Sequence, residues 1–296
     1  MRTEEGIKKA IDYLEKAVAE DPAYGEAWSG LADSYMMEAR LSFVPPGEAV
    51  RKARAAAVKA LEIDDTLAEA HASLAMLRFW LCDWSGIEQE FRRAIDLNPN
   101  YATVRQWYAE YLASSDRVSE ALAESQRALE LNPLSVSAWT SSGWVFVFAR
   151  RYDEAIGRFR RSLDLERNSR ATGLGLGMAY MEKGMYPDAI RELRPLGDVP
   201  RALGILGSTY ARAGRRDEAR RVIRQLRELS HDWPISAFVA MIYADLGEPK
   251  LALEYLQRAT NMPAVVCVWV ANTTSFDSLR GDPRYHALLG RMGLEK

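Results

Sequence analysis

Three histidines, two cysteines and one run of arginines are the residues of this chain with the most chemistry to offer. His71, His231 and His286 are scattered, so they suggest neither a three-ligand metal site nor a Ser-His-Asp arrangement. Cys82 and Cys267 form no CxxC or CxxxC pair, so a disulfide framework is not expected and a reducing, cytoplasmic setting is. Arg212, Arg215, Arg216, Arg220, Arg221, Arg224 and Arg227 fall within sixteen residues, a density that could hold phosphates or an acidic partner. Asp217, Glu218 and Glu228 interrupt that run, which makes a solvated helix face the simpler reading. The acid pair Asp64-Asp65 sits where a helix should end, and helix termination explains it without chemistry. No catalytic residue and no cofactor site is expected, and the chain reads as a non-enzyme.

The elements that position these residues come from one recurring pattern of about 34 residues. It reads large apolar, then apolar-small, then aromatic, followed by small-x-x-x-bulky and a Pro or an acid. Trp28, Leu31, Ala32 and Tyr35 are its clearest copy. Self-similarity at that period means stacked helical hairpins, each burying its apolar face on its neighbours.

Seven hairpins are expected between residues 25 and 263. The first opens at Gly25, and Arg40 to Gly47 adds about nine residues before its second helix resumes at Glu48. Three at the strict period follow, through Leu74 and Phe91, then Tyr108 and Ala121, then Trp139, Gly143, Phe146 and Phe159. Pro195 and Pro200 shorten the fifth by about four residues, so its second helix should end near Leu193. Tyr210 and Tyr243 mark the sixth and seventh. His71 takes the first aromatic position of its hairpin, which reads as packing. Residues 1–22 resemble a second helix without its first, so the N-terminus is expected to be a cut. The stripe of Ile7, Ile11 and Leu14 is then free to pair with a second copy as a homodimer. Residues 264–296 form a cap, in which Asp282 caps a last helix with Pro283 at its first position.

Position by position, the whole chain resembles the tetratricopeptide (TPR) repeat family. The resemblance implies an all-α, right-handed superhelical solenoid that binds proteins rather than transforms substrates. The stretches Ala27 to Tyr35, Asp83-Trp84 with Glu90 to Ala94, and Asp277 to Tyr285 are similar to the C-terminal TPR regions of bacterial signalling proteins. Those are winged-helix regulators, adenylate cyclases and serine/threonine kinases. Arginine outnumbers lysine by 31 to 8, which hints at a GC-rich bacterial coding sequence.

In the family the first helices line a concave groove. The matching positions include Met36, Met76, Trp80, Trp107, Glu110, Trp144, Phe148 and Met178, a surface suited to an apolar or amphipathic peptide. Alternatively the tryptophans simply fill space between hairpins. The positions that clamp a peptide carboxylate in some TPR proteins are here Ser29, Asp33, Ser73, Thr103 and Trp107, none basic or Asn. Net charge is −2, so bulk charge calls for no polyanion. The longest apolar run, Val265 to Ala271, is too short to span a bilayer. The main expectation is a protein or peptide scaffold in a signalling or regulatory protein. The alternatives are a small-ligand sensor, with the groove closed by the Phe43–Pro46 loop, and a nucleic-acid array using Arg215, Arg216, Arg220, Arg224 and Arg227.

Overall fold

The sequence period reappears as a backbone torsion. Cys82, Asp116, Arg150, Gly184, Gly214 and Gly247 all adopt positive φ, between 56° and 80°. Each ends the first helix of a hairpin, and the following N–H reaches back five residues to a carbonyl, as in Arg151 N to Phe146 O at 2.9 Å. This left-handed helix stop satisfies carbonyls that the helix end would otherwise orphan. Successive stops lie 34, 34, 34, 30 and 33 residues apart, so the shortened fifth hairpin is visible in the backbone. The turns between hairpins are closed by backbone bonds such as Tyr24 N to Asp21 O at 3.1 Å, and in three of them a side chain adds to the closure. Asp21, Asp64 and Asn98 each accept a hydrogen bond from the N–H two residues on, at 3.0, 2.8 and 3.3 Å. Thr66 also donates its hydroxyl to Asp64, and these bonds hold that carboxyl below its usual range. Asp64 is thus a turn residue, as expected.

The computed structural model describes residues 4–40, 46–229, 235–259, 270 and 272–294. Among them there is no strand. The chain divides into two compact units, residues 1–108 and 109–296, and the division falls inside α6 (Ala102–Ser114). The first unit holds α1 (Glu4–Glu20), α2 (Gly25–Arg40), α3 (Pro46–Ile63), α4 (Ala68–Trp80) and α5 (Ile87–Leu97). The second holds α7 (Val118–Leu131), α8 (Val136–Phe148), α9 (Tyr152–Leu165), α10 (Arg170–Glu182), α11 (Tyr186–Leu193), α12 (Pro200–Arg212), α13 (Arg216–Glu228), α14 (Ile235–Asp245), α15 (Pro249–Ala259) and α16 (Pro283–Arg291). A 3-10 turn, Thr274–Leu279, precedes the last helix. Helices α2 and α3, α4 and α5, α8 and α9, α10 and α11, α12 and α13, and α14 and α15 pack as hairpins.

The two helices of a hairpin differ in kind. First helices are apolar on nearly every side: Thr172 and Leu174 to Met181 of α10 are all buried. Second helices are amphipathic, and α13 buries only Ala219, Val222, Ile223 and Leu226. Small residues let the two approach. A Cβ at Gly143 or at Gly175 would stand 2.4 Å from the Phe159 ring, so the fully buried ring fits only where those side chains are missing. Helix α11 ends at Leu193 before Pro195, and Asp282 accepts from Arg284 N at 2.9 Å with Pro283 at the first position of α16, both as the sequence predicts.

Two expectations are corrected. The stripe on α1 is not free: Ile7 is buried, Ile11 and Leu14 are half-buried, and Leu14 packs over Gly30 of α2. The homodimer thereby loses its exposed apolar face, since Tyr13 is the large residue that α1 leaves bare. Cys82 is disulfide-bonded, and the described residues hold no free cysteine, against the expectation of a reducing setting without disulfides. The Phe43–Pro46 loop lies outside the described residues except for Pro46, which opens α3.

Candidate functional site

The inner helices carry the groove positions, and the structure places most of them in the interior. In the first unit Met36 (α2), Met76 and Trp80 (α4) and Trp107 (α6) are buried. In the second, Glu110 (α6), Trp144 (α8) and Met178 (α10) are buried as well, while Phe148 at the end of α8 is half-exposed. Trp144 lies 6.0 Å from Phe148 and 5.9 Å from Phe159, edge-on to the latter. Glu110 accepts a 2.8 Å hydrogen bond from the Ser141 hydroxyl, a partner that suits a buried carboxylate. The three tryptophans of the packing alternative are therefore buried, as are four of the other five groove residues.

Sequence reasoning did not find the polar groups that join the hairpins. Thr140, Ser162 and Thr172 bring their hydroxyl oxygens within 2.8 to 3.0 Å of one another, and Val136 O, 3.1 Å from Ser162 Oγ, is a further acceptor beside them. Their spacing, 22 and 32 residues, is a cross-repeat signal invisible to a search for catalytic triads. His71 is a second such joint. Its Nδ1 lies 2.6 Å from Glu90 Oε2 and its Nε2 2.9 Å from Asp65 O. Both neighbours offer acceptor oxygens, an arrangement that favours the imidazolium, which can donate from both ring nitrogens. The hydrogen bond to Glu90 raises the pKa of His71 against the opposing effect of burial.

A group whose folded pKa is raised stabilises fully below its unfolded pKa and loses that contribution as pH rises through the folded value. The coupling in a His71→Gln, Glu90→Gln double-mutant cycle should accordingly be present at pH 6 and fade as pH climbs past neutrality. A coupling independent of pH would show that the imidazole stays neutral.

Arg212 anchors the most extensive network. Its Nε donates to Asp245 at 2.8 Å, its Nη1 to Glu182 at 3.1 Å, and its Nη2 to Thr274 and Ser275 at 2.9 and 2.8 Å. Thr274 in turn donates to Glu182, and Ser275 donates to Asp245 at 2.7 Å. The side chains of Arg212, Glu182 and Asp245 are only 15%, 3% and 8% exposed. Burial works against the charge on Arg212, and the two carboxylates more than restore it, leaving its pKa raised. Burial also lifts Asp245, despite the guanidinium beside it. The network joins the C-terminal ends of α10, α12 and α14 to the Thr274–Leu279 turn. Arg150, just past α8, adds a two-pronged bond to Asp277 at 3.2 Å.

Arg212 thus leaves the arginine run that the sequence grouped with it. On α13 and its approach, Arg215 pairs with Glu218 at 2.6 Å, while Arg216 and Arg220 share Glu248 at 3.2 and 2.9 Å. Arg224 and Arg227 remain on the exposed face of the helix. His286 meets Arg280 O at 2.7 Å, and His231 lies outside the described residues. Among the described residues no group of His, Cys, Asp and Glu is placed to hold a metal ion. No described helix is long and apolar enough to cross a membrane.

Stacked hairpins with a left-handed stop at a 34-residue period define a helical-repeat protein. Tetratricopeptide-repeat models match residues 140–194, 202–232 and 237–264, and the chain belongs to the tetratricopeptide-repeat family. Solved structures share the fold at low identity. A human IFIT1 dimer with m7Gppp-AAAA is 15% identical, with a TM-score of 0.67 over 97% of this chain and 70% of that one. The Cut9–Hcn1 hetero-tetramer of APC/C is 17% identical, with a TM-score of 0.61 over 96% of this chain and 55% of that one. A tetratricopeptide repeat protein from Parabacteroides merdae is 14% identical, with a TM-score of 0.55 over 89% and 99%. No curated protein matches the sequence.

Proposed function

We propose that this protein is a non-catalytic scaffold that holds a protein or peptide segment, as the interaction module of a bacterial signalling or regulatory protein. The observation that carries the reading is the arrangement of the inner helices. They carry Met and aromatic side chains at the groove positions in each unit, and the titratable group among those positions, Glu110, is already hydrogen-bonded. A stiff repeat surface binds without paying to order itself. Phe148 is the groove position a partner can touch directly, with Trp144 beneath it, so an apolar segment meets the wall at the end of α8. The regulatory assignment rests on the similarity of Ala27 to Tyr35 and Asp277 to Tyr285 to signalling proteins. A cytoplasmic placement is not part of the proposal, because the disulfide at Cys82 removes the reason for expecting a reducing setting.

A photo-crosslinking residue in place of Phe148, and separately in place of Arg224 on the outer face, separates the sites. The reading expects one partner trapped from native cells at position 148 and absent at 224. Equal trapping at both positions, or none at 148, sinks the α8 site. Trapping of RNA at 224 would favour the nucleic-acid alternative.

A further inference from the structure

The hairpin of α8 and α9 carries alternating cations and rings. Arg151 lies 5.0 Å from the Phe146 ring centre, Arg158 lies 5.3 Å from both Phe146 and Trp139, and Arg161 lies 6.0 Å from Trp139. A guanidinium over an aromatic face keeps its edge N–H donors free while its orientation is fixed. The outer two arginines are already answered: Arg151 by Glu154 at 2.6 Å and Arg161 by Asp164 at 3.7 Å. Arg158 is not. Among the described residues no hydrogen bond or ion pair reaches it, and burial alone acts on it, pulling its pKa down.

The same comparison holds along the chain. Lys16, Lys52, Arg215 and Arg258 each lie over a ring, and each has its carboxylate: Asp12, Glu48, Glu218 and Glu254. Arg158 is the exception among the described ring-bound cations, and it is half-buried rather than exposed. A partly desolvated guanidinium with a fixed plane and no counter-charge is prepared for an incoming planar anion, which it can hold with two parallel bonds.

We propose that Arg158 is a receptor for a carboxylate side chain of a partner protein, docked on the α8–α9 hairpin beside Trp139. Asp153, Glu154 and Asp164 on the same helix keep the surroundings near neutral charge. That balance disfavours a nucleic acid, whose affinity grows with the number of uncompensated cations. One guanidinium matches one carboxylate, and the half-buried Trp139 offers a ring against which the partner's chain can lie. This site is independent of the Phe148 wall and stands or falls separately.

The test is a titration of the full chain, labelled with 15N arginine, following the Nε–H resonance of Arg158. The Arg158→Lys variant identifies that signal by its disappearance. The probes are a blocked Asp-Glu peptide, its Asn-Gln counterpart and inorganic phosphate. The expected result is a saturable shift with the acidic peptide, none with the amide peptide, and a weaker response to phosphate. Binding of the acidic peptide to Arg158→Lys should fall about tenfold, since lysine cannot make the paired bonds. Absence of a saturable shift with the acidic peptide overturns the proposal. A tighter response to phosphate overturns it too, and would make the site a phosphate receptor. If the lysine variant folds poorly, Arg158→Gln supplies the same identification of the signal.

Discussion

Replacing Arg212 by alanine should cost about 3–5 kcal/mol of stability, the usual penalty for removing one partner of a buried ion pair. The physical reason is the state of what remains. Glu182 and Asp245 would keep their places in the interior with no cation between them, and Thr274 and Ser275 would lose the guanidinium that donates to both their hydroxyls. Urea denaturation followed by circular dichroism measures the loss, and hydrogen exchange should show it concentrated at the Thr274–Leu279 turn. The deficit should shrink on acidification. A buried carboxyl whose folded pKa is raised binds its proton more tightly in the fold, so its burden is heaviest well above that pKa and eases as pH falls through it. Burial already raises Asp245 with Arg212 present, and removing the guanidinium removes an opposing influence. A deficit under 1 kcal/mol, or one that grows toward acid, would show that the network is not a buried one. Exchanging all three residues for apolar ones of similar size should recover much of the loss, because the desolvation of the charges goes with them.

Phe159→Ala should be equally severe, about 3–5 kcal/mol, through a different cause. The ring is fully buried, meets Trp144 edge-on at 5.9 Å, and fills the space left by the absent side chains of Gly143 and Gly175. Its removal opens a cavity between two hairpins that the stiff helices around it close only in part. Gly143→Ala alone should cost about 1–3 kcal/mol by overpacking, as the new methyl would stand 2.4 Å from the ring. Combined with Phe159→Ala, the glycine change should become cheaper, since the cavity admits the methyl. Full additivity in that double-mutant cycle would mean that ring and glycine do not share the space described.

The two largest effects also mark the limit of sequence reading. Phe159 was legible, because its spacing from Ala155 and Gly143 follows the repeat period that every hairpin copies. Arg212 was not. It sat inside a run of seven arginines, and nothing along the chain separates the one that ends a first helix from the six at the following turn or on the second helix. Its partners lie 30, 33, 62 and 63 residues away, so only the stacking of hairpins identifies them. The groove residues show the converse. Their positions on the first helices were read correctly, but exposure is a property of what packs over a residue, and seven of eight proved to be buried. His71 held its expected structural place, yet its charge state depends on two acceptors, only one of which is near in sequence. Arg158 is one of three arginines on α9, and nothing in the sequence separates it from Arg160 and Arg161 until its neighbours are known.

What the sequence determined by itself was the periodic part of the protein. The hairpins, the shortening before Pro195 and the Asp282 cap all follow from local backbone preference and from an apolar pattern repeated at 34 residues. What only the tertiary structure decided was which polar groups meet and which side chains remain open to a partner. Those are matters of distance between helices far apart along the chain, where a small shift in packing separates a hydrogen bond from a buried, unpaired charge.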